Sequence, residues 1–171
     1  VLKSAVSDKL LAANVADDIF RNTDKIKYKP SEKRPLTPAE KKAVFDAAYK
    51  YDSDQAYAYL IYGCGLRREE CVALTIFDFN FKKREVSVSK AYEYITNTPG
   101  VKDPKSSNGI RTIPIPSKIL PAVQSYVESV KHSGRTQLFV TMRDKKPLTK
   151  SAYDKMWKRI LESMQAVCKE D

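Results

Sequence analysis

A single histidine, His132, and three cysteines, Cys64, Cys71 and Cys168, are all that 171 residues offer as imidazole and thiol groups. One histidine excludes the multi-histidine sites that hold most catalytic zinc, iron and copper. The cysteines are odd in number and form no Cys-x-x-Cys pair, so buried free thiols in a reducing cytosol are expected rather than a disulfide framework or a zinc site. Long apolar runs are missing too. The longest, Tyr57 to Leu66, holds about ten residues where a membrane span needs about twenty. A charged-then-apolar leader is also lacking, and the first residue is Val rather than Met. The expectation is a piece of a longer, cytoplasmic protein, not a secreted one.

Negative charge is in short supply. Lys and Arg number 31 against 21 Asp and Glu, a net charge of +10. An excess of that size repels itself and calls for a polyanionic partner, nucleic acid first and an anionic membrane surface second. Hydrophobic residues make up 42%, enough for a buried core, and the length suits one or two small domains.

Leu2, Val6, Leu10 and Leu11 recur at helical spacing, so the chain is expected to begin in a helix. Arg21 to Arg34, with Lys25, Lys27, Lys29 and Lys33 between them and Pro35 after, has the composition of an extended basic linker. Thr37-Pro38-Ala39-Glu40 is a capping box with proline at the first helical position. It predicts a helix that buries Val44, Ala47, Ala48 and Tyr51. Asp52-Ser53-Asp54 opens a second, burying Ala56, Tyr57, Leu60, Ile61 and Cys64 and closed by Gly63 and Gly65; Arg67 to Leu74 is a short third.

Beyond Leu74 the period changes. Glu85 to Ser89 alternates as a half-buried strand, a short strand around Phe77 to Phe81 precedes it, and Ile110 to Ile115 is a third with Pro114 at an edge. Thr98 to Gly109 reads as a polar loop. Ser117 is placed to cap a helix with Leu120, Val123, Val127 and Val130 inward, and Gly134 to stop it. Leu138-Phe139-Val140 is a short strand or core filler. The last helix begins near Thr149, stapled by Leu148 and Tyr153, and continues through Met156, Trp157, Ile160, Leu161 and Met164 with Lys150, Lys155, Lys158 and Arg159 opposite. The fold class is therefore α+β, mainly α-helical with a small antiparallel three-stranded sheet.

Two stretches carry chemistry. In Gly65-Leu66-Arg67-Arg68-Glu69-Glu70-Cys71-Val72-Ala73-Leu74, a glycine-terminated helix abuts a new one, so Arg67 projects where spare amides favour an anion, and Glu70 shares its face. An ordinary helix with surface charges is the alternative. In Asp103 to Pro114, Lys105 sits on a polar turn and Arg111 re-enters a strand, with hydroxyls and amides between them that suit phosphate oxygens. A solvated turn is the alternative there.

Taken together, these stretches resemble the catalytic domain of tyrosine recombinases, the phage and transposon integrase family. Leu36-Thr37 with Glu40 is similar to the family's opening helix, and Gly65-Leu66-Arg67 with Glu70 and Leu74 to its first arginine box. Pro104-Lys105 with Arg111-Thr112-Ile113-Pro114 is similar to its β-hairpin lysine motif, and Pro147-Leu148-Thr149 to the segment before its second box. The resemblance makes residues 34–171 the N-terminal part of a catalytic domain, and residues 1–33 the end of a preceding core-binding domain with its linker.

It implies a site-specific recombinase that cleaves and rejoins double-stranded DNA through a 3′-phosphotyrosyl intermediate. Arg67 would clamp the scissile phosphate, Lys105 would protonate the leaving 5′ oxygen, and Glu70 would hold the arginine. Cations suit a phosphoryl transfer, since Arg neutralises developing charge bidentately and Lys can also give a proton. No metal or other cofactor is implied. A tetramer on DNA and a place at the nucleoid of a bacterial host follow from the family, with no membrane partner.

The family's His-x-x-Arg box and nucleophilic tyrosine would lie past the last helix, so this chain is expected to position a phosphate without cleaving it. His132-Ser133-Gly134-Arg135 has the box's spelling, but Gly134 ends its helix, and His132 reads as a cation at a helix C-terminus. Of the ten tyrosines, Tyr49, Tyr51, Tyr57, Tyr59 and Tyr62 are expected in the core or lining a groove, and Tyr153 as a staple. Arg111 and, on the last helix, Lys150, Ser151, Lys155 and Arg159 are candidate DNA contacts, the helical ones placed for a major groove. A non-catalytic DNA-binding module on the same scaffold is the alternative function.

Overall fold

The computed structural model describes residues 6–10, 12, 15, 34–102 and 110–168. The chain divides into two units, Val1–Pro35 and Leu36–Asp171. In the first, Lys9 N–H donates to the Val6 carbonyl and Val15 N–H to that of Ala12, each at 3.1 Å, as in single helical turns. Most of the expected first helix, and the basic linker up to Lys33, lie outside the described residues.

The second unit opens with helix α1 (Pro38–Asp46). Thr37 Oγ1 accepts the Glu40 amide at 3.2 Å and Glu40 Oε2 accepts the Thr37 amide at 2.8 Å, the reciprocal cap read from the sequence. The helix ends before Tyr51: the Ala47 backbone turns extended, and Tyr51 instead stands at the start of α2 (Asp52–Cys64). α2 is the central helix, with Asp54, Ala56, Tyr57, Ala58, Tyr59, Leu60 and Cys64 buried. Gly65 closes it at φ +62°, a left-handed conformation that costs glycine nothing. Gly63 serves packing instead, since a Cβ there would lie 2.6 Å from Ile119 Cδ1.

Helix α3 (Arg68–Val72) and a 3-10 turn (Ile76–Asp78) lead into strands β1 (Phe79–Asn80) and β2 (Glu85–Val88). With β5 (Arg111–Pro114) these form an antiparallel sheet ordered β1-β2-β5, in which Val86 pairs with Phe79 and Ile113. Pro114 stands on the outer strand, where its missing N–H costs no ladder bond. A second, two-stranded sheet pairs β3 (Ala91–Glu93) with β4 (Gly100–Lys102), so part of the expected polar loop is a hairpin.

Helix α4 (Leu120–His132) buries Val123, Tyr126, Val127 and Val130. Its N-cap is Ile119, and Ser117, in the preceding turn, accepts instead from Arg84 at 3.4 Å. Leu138 and Phe139 are core filler, and Phe139 meets the Tyr57 ring edge-on at 5.4 Å. Helix α5 (Lys150–Cys168) seats Tyr153, Met156 and Ile160 against the same core. Each fully buried large side chain contributes about 1.5–3 kcal/mol, so α2, α4 and α5 hold the unit together around Tyr57, Leu60, Phe139 and Ile160. Among the described residues, no helix is long and apolar enough to cross a membrane.

Candidate active site

Arg67 is the last extended residue before α3, with ψ 149°, and Glu70 lies one turn on. Glu70 Oε2 accepts the Arg67 amide at 2.9 Å, and Oε1 accepts the Arg67 guanidinium at 3.0 Å. Arg111 approaches the same carboxylate from β5, Nη1 to Oε1 at 2.9 Å and Nη2 to Oε2 at 2.7 Å. One glutamate thus receives four N–H donors from two arginines, one at a helix start and the other on a strand, Arg111 lying 41 residues beyond Glu70.

The three side chains differ in exposure. Glu70 is 8% exposed, Arg111 30% and Arg67 75%. Burial alone would raise the Glu70 pKa. The hydrogen bonds from Arg111 and Arg67 outweigh it and hold the carboxyl down at about 2. The same bonds raise the pKa of Arg111. Two cations against one anion leave a net positive charge, and the exposed Arg67 presents it to solvent at the head of a helix. An anionic group with tetrahedral oxygens fits that presentation.

Arg111, expected as a DNA contact, therefore spends both terminal nitrogens on Glu70 and acts inside the cluster. Lys105 lies outside the described residues. The neighbouring thiols are inert: burial pushes Cys64 up to about 11 and raises Cys71 as well, and the thiolate is the reactive form. His132 ends α4, its Nδ1 2.7 Å from the Glu128 carbonyl, and Gly134 (φ +72°) separates it from Arg135. The tempting His-x-x-Arg spelling forms no helical pair.

The last-helix candidates separate into two groups. Lys150 and Ser151 sit exposed at the start of α5, and Lys150 lines a cleft of about 360 Å³ with Arg68, Tyr94, Lys102 and Tyr153. Lys155 is five residues on, about 140° around the helix from Lys150. With Arg159 it lines a different cleft of about 480 Å³, together with Arg135, Arg143 and Lys145. Arg159 is not on an open face. Its Nε and Nη2 reach the two oxygens of Asp54 at 3.1 and 3.0 Å, Asp54 is 1% exposed, and the guanidinium lies 5.0 Å over the Tyr51 ring. That arrangement is a structural ion pair between α2 and α5.

Sequence reasoning missed three groups. Asp54 was read only as a helix start, although an acid on the inward face of an apolar helix signals a buried partner. Tyr94 and Asn97, on and beside the β3–β4 turn, bond to the start of α5, and nothing in their local sequence marks that role. Tyr94 Oη donates to the Leu148 carbonyl at 2.8 Å. The Asn97 carbonyl accepts the Lys150 amide and its Oδ1 the Ser151 amide, both at 2.9 Å.

A mainly helical unit thus has a small sheet that brings a strand arginine to a helix-start Arg–Glu pair at a helix–sheet junction. The phage integrase family model matches residues 34–168, and the chain belongs to that family. A tyrosine recombinase XerC-like protein of Caldanaerobacter subterraneus subsp. tengcongensis is 33% identical over 76 residues, 39% of this chain and 19% of that protein. Among solved structures, the Tn1549 transposon integrase in complex with a circular intermediate DNA superposes with a TM-score of 0.69 at 22% identity. That superposition covers 96% of this chain and 54% of the integrase chain. XerA recombinase follows with a TM-score of 0.57 at 15% identity, covering 98% of this chain and 58% of XerA. The chain thus spans about a fifth of the curated relative and about half of the integrase, and the superpositions establish the fold: mainly helical with small antiparallel sheets.

Proposed function

We propose that this chain supplies the phosphate-binding part of a site-specific DNA recombinase that cuts and rejoins double-stranded DNA through a 3′-phosphotyrosyl link. The observation that carries this reading is the Arg67–Glu70–Arg111 cluster. Glu70, held ionised, fixes the Arg67 backbone and side chain, and Arg111 fixes Glu70. The exposed guanidinium of Arg67 then meets the scissile phosphate preorganised, so charge that develops on the non-bridging oxygens is neutralised without reorganisation. In the cleavage step a tyrosine oxygen, its proton released to solvent, bonds to phosphorus as the bond to the 5′ oxygen breaks. Lys105 gives that oxygen its proton, leaving a free 5′ hydroxyl and a 3′-phosphotyrosine.

The attacking tyrosine is proposed to come from past the last helix, beyond this chain. The tyrosines on the elements flanking the cluster are already engaged: Tyr57 with Tyr153, Tyr92 with Gln137, and Tyr94 with Leu148. Burial raises the pKa of all four, that of Tyr94 to about 12, which keeps the phenols protonated. The 171-residue chain alone is therefore proposed to bind DNA without forming an adduct. Residues 1–33 are proposed to close a preceding core-binding domain, and DNA-bound assembly is proposed to be tetrameric, as the family implies.

The test traps covalent complexes between the full gene product and a nicked suicide duplex carrying its recombination site. Wild type should form the adduct, and Arg67→Ala should lose about 10²- to 10³-fold in rate. No adduct from the wild type with DNA binding retained would overturn the enzymatic reading in favour of a binding module.

A further inference from the structure

Residues 141–146 form the turn that leads into α5, and one threonine closes it. Thr141 N–H donates to the Lys146 carbonyl at 2.9 Å, and Lys145 N–H to the Thr141 carbonyl at 3.2 Å. Lys146 N–H donates to Thr141 Oγ1 at 3.1 Å, while the Thr141 hydroxyl bonds the Asp144 carboxylate. Val140 and Pro147 pair as an antiparallel bridge at the base of the turn. Lys145 stands at φ +55°, a left-handed conformation that glycine adopts freely and a residue with a Cβ does not. A lysine is thus held at a conformational cost on an ordered turn. Asp144, the carboxylate of the turn, pairs with Lys146 at 3.8 Å. Arg143 and Lys145 are exposed and have no ion-pair partner among the described residues.

These two cations line the cleft of about 480 Å³ beside α5 together with Lys155, Arg135 and Arg159, and the one carboxylate among its lining residues is that of Asp52. Arg159 is spent on Asp54, and Arg135 Nε donates to Ser133 Oγ at 2.9 Å. Arg143, Lys145 and Lys155 are the cations left to a ligand. Lys150 stands on the other flank of the helix, about 140° around from Lys155. A helix about 10–12 Å across fills a major groove about 12 Å wide, whose two edges are rows of phosphates. Cations on both flanks of α5 match both rows, whereas an acidic protein segment would engage the cleft alone. We propose that the 141–146 turn and Lys155 form a second phosphate-binding site, separate from the Arg67 cluster, in which Arg143, Lys145 and Lys155 grip the backbone of one DNA strand beside α5. The inference rests on the reading of this chain as part of a DNA-binding recombinase.

Two measurements on the full gene product and a duplex carrying its recombination site test this: affinity as a function of salt, and interference by ethylation of single phosphates. Arg143→Gln/Lys145→Gly should lower the slope of log affinity against log salt by about 1.8, two phosphate contacts at about 0.9 each, and Lys155→Gln by about 0.9. Lys82→Gln/Lys83→Gln removes the same charge as the first pair from exposed lysines of the β1–β2 turn, and should leave the slope at the wild-type value. Because Lys145→Gly relieves the backbone as it removes the charge, a loss of affinity cannot come from a damaged turn. At least one phosphate other than the scissile one, whose ethylation blocks the wild type, should become indifferent in the Arg143→Gln/Lys145→Gly protein. An unchanged slope or an unchanged interference pattern in that protein overturns the proposal and leaves the cleft to an acidic protein segment. An equal loss of slope in the Lys82→Gln/Lys83→Gln protein overturns it as well, since net charge alone would then account for the effect. A wild type that binds the duplex but forms no covalent adduct overturns the recombination chemistry and not this site; one that forms the adduct while the variant slopes stay unchanged overturns this site alone.

Discussion

Glu70 shows how one side chain can set the state of a whole site. Its carboxyl is nearly buried yet ionised because four N–H groups surround it, and its pKa lies at about 2 against an unfolded value near 4.5. A group whose pKa is depressed by folding stabilises the native state above the unfolded pKa and loses that contribution as the pH falls through the folded one. Urea midpoints should therefore drop as the pH is lowered from about 4.5 towards 2. The Glu70→Gln variant, less stable at neutral pH, should show a flatter decline across that window. Parallel pH profiles for the two proteins would remove Glu70 as the titrating group. Protonation of Glu70 would release both arginines, so the acid-labile group is the one on which the proposed phosphate site depends.

At the scale of elements, α2 ends on two glycines two positions apart, Gly63 in its last turn and Gly65 at its cap, that stand at opposite ends of the physics. At Gly65 a Cβ meets nothing within 4 Å, so the cost of Gly65→Ala is all backbone, about 1 kcal/mol for a residue held at φ +62°. At Gly63 the backbone is ordinary helix, and the cost of a methyl is the collision with Ile119. Trimming Ile119 to Val should rescue Gly63→Ala and leave Gly65→Ala unchanged, a pattern that urea denaturation of the four variants would reveal. If Ile119→Val improved both equally, the separation of strain from packing would be wrong. The Gly65 turn delivers Leu66 to the core and Arg67 to the surface in consecutive residues.

The elements were unevenly legible. The capping box at Thr37, the apolar stripe of α4 and the alternation of β2 are local patterns, and the structure follows them. The end of α1 was not legible. Ala47, Ala48 and Tyr51 continue a helical period, but the Tyr49 hydroxyl bonds the Val44 carbonyl and the chain turns extended to start α2. The β3–β4 hairpin hides in sequence because each of its strands is three residues long and only Tyr92 is fully buried, too short a run for periodicity to register.

For the whole molecule, the net charge of +10 is expected to give DNA binding a steep salt dependence. The structure divides the last helix's cations into different kinds. Lys150 is exposed at the helix start, whereas Arg159 is tied to buried Asp54. Lys150→Ala should thus lower the slope of log affinity against log salt by about 0.9, the value for one phosphate contact, and leave the urea midpoint alone. Arg159→Ala should do the reverse, because removing one partner strands a buried carboxylate at a cost of about 3–5 kcal/mol. Matching effects of the two substitutions in either assay would contradict this division.

The sequence by itself determined the capped and periodic elements, the excess of positive charge and the pairing of Arg67 with Glu70, because caps, periodicity and one-turn spacing are short-range properties of the chain. Only the tertiary structure decided which cations are free and which are spent. Arg111 joins Glu70 because β5 runs past the start of α3, and Arg159 joins Asp54 because α5 packs across α2. Asn97 caps α5 because a hairpin turn lands on it. Each of these contacts links residues 41 or more positions apart, where geometry depends on how whole elements pack and no local pattern carries it.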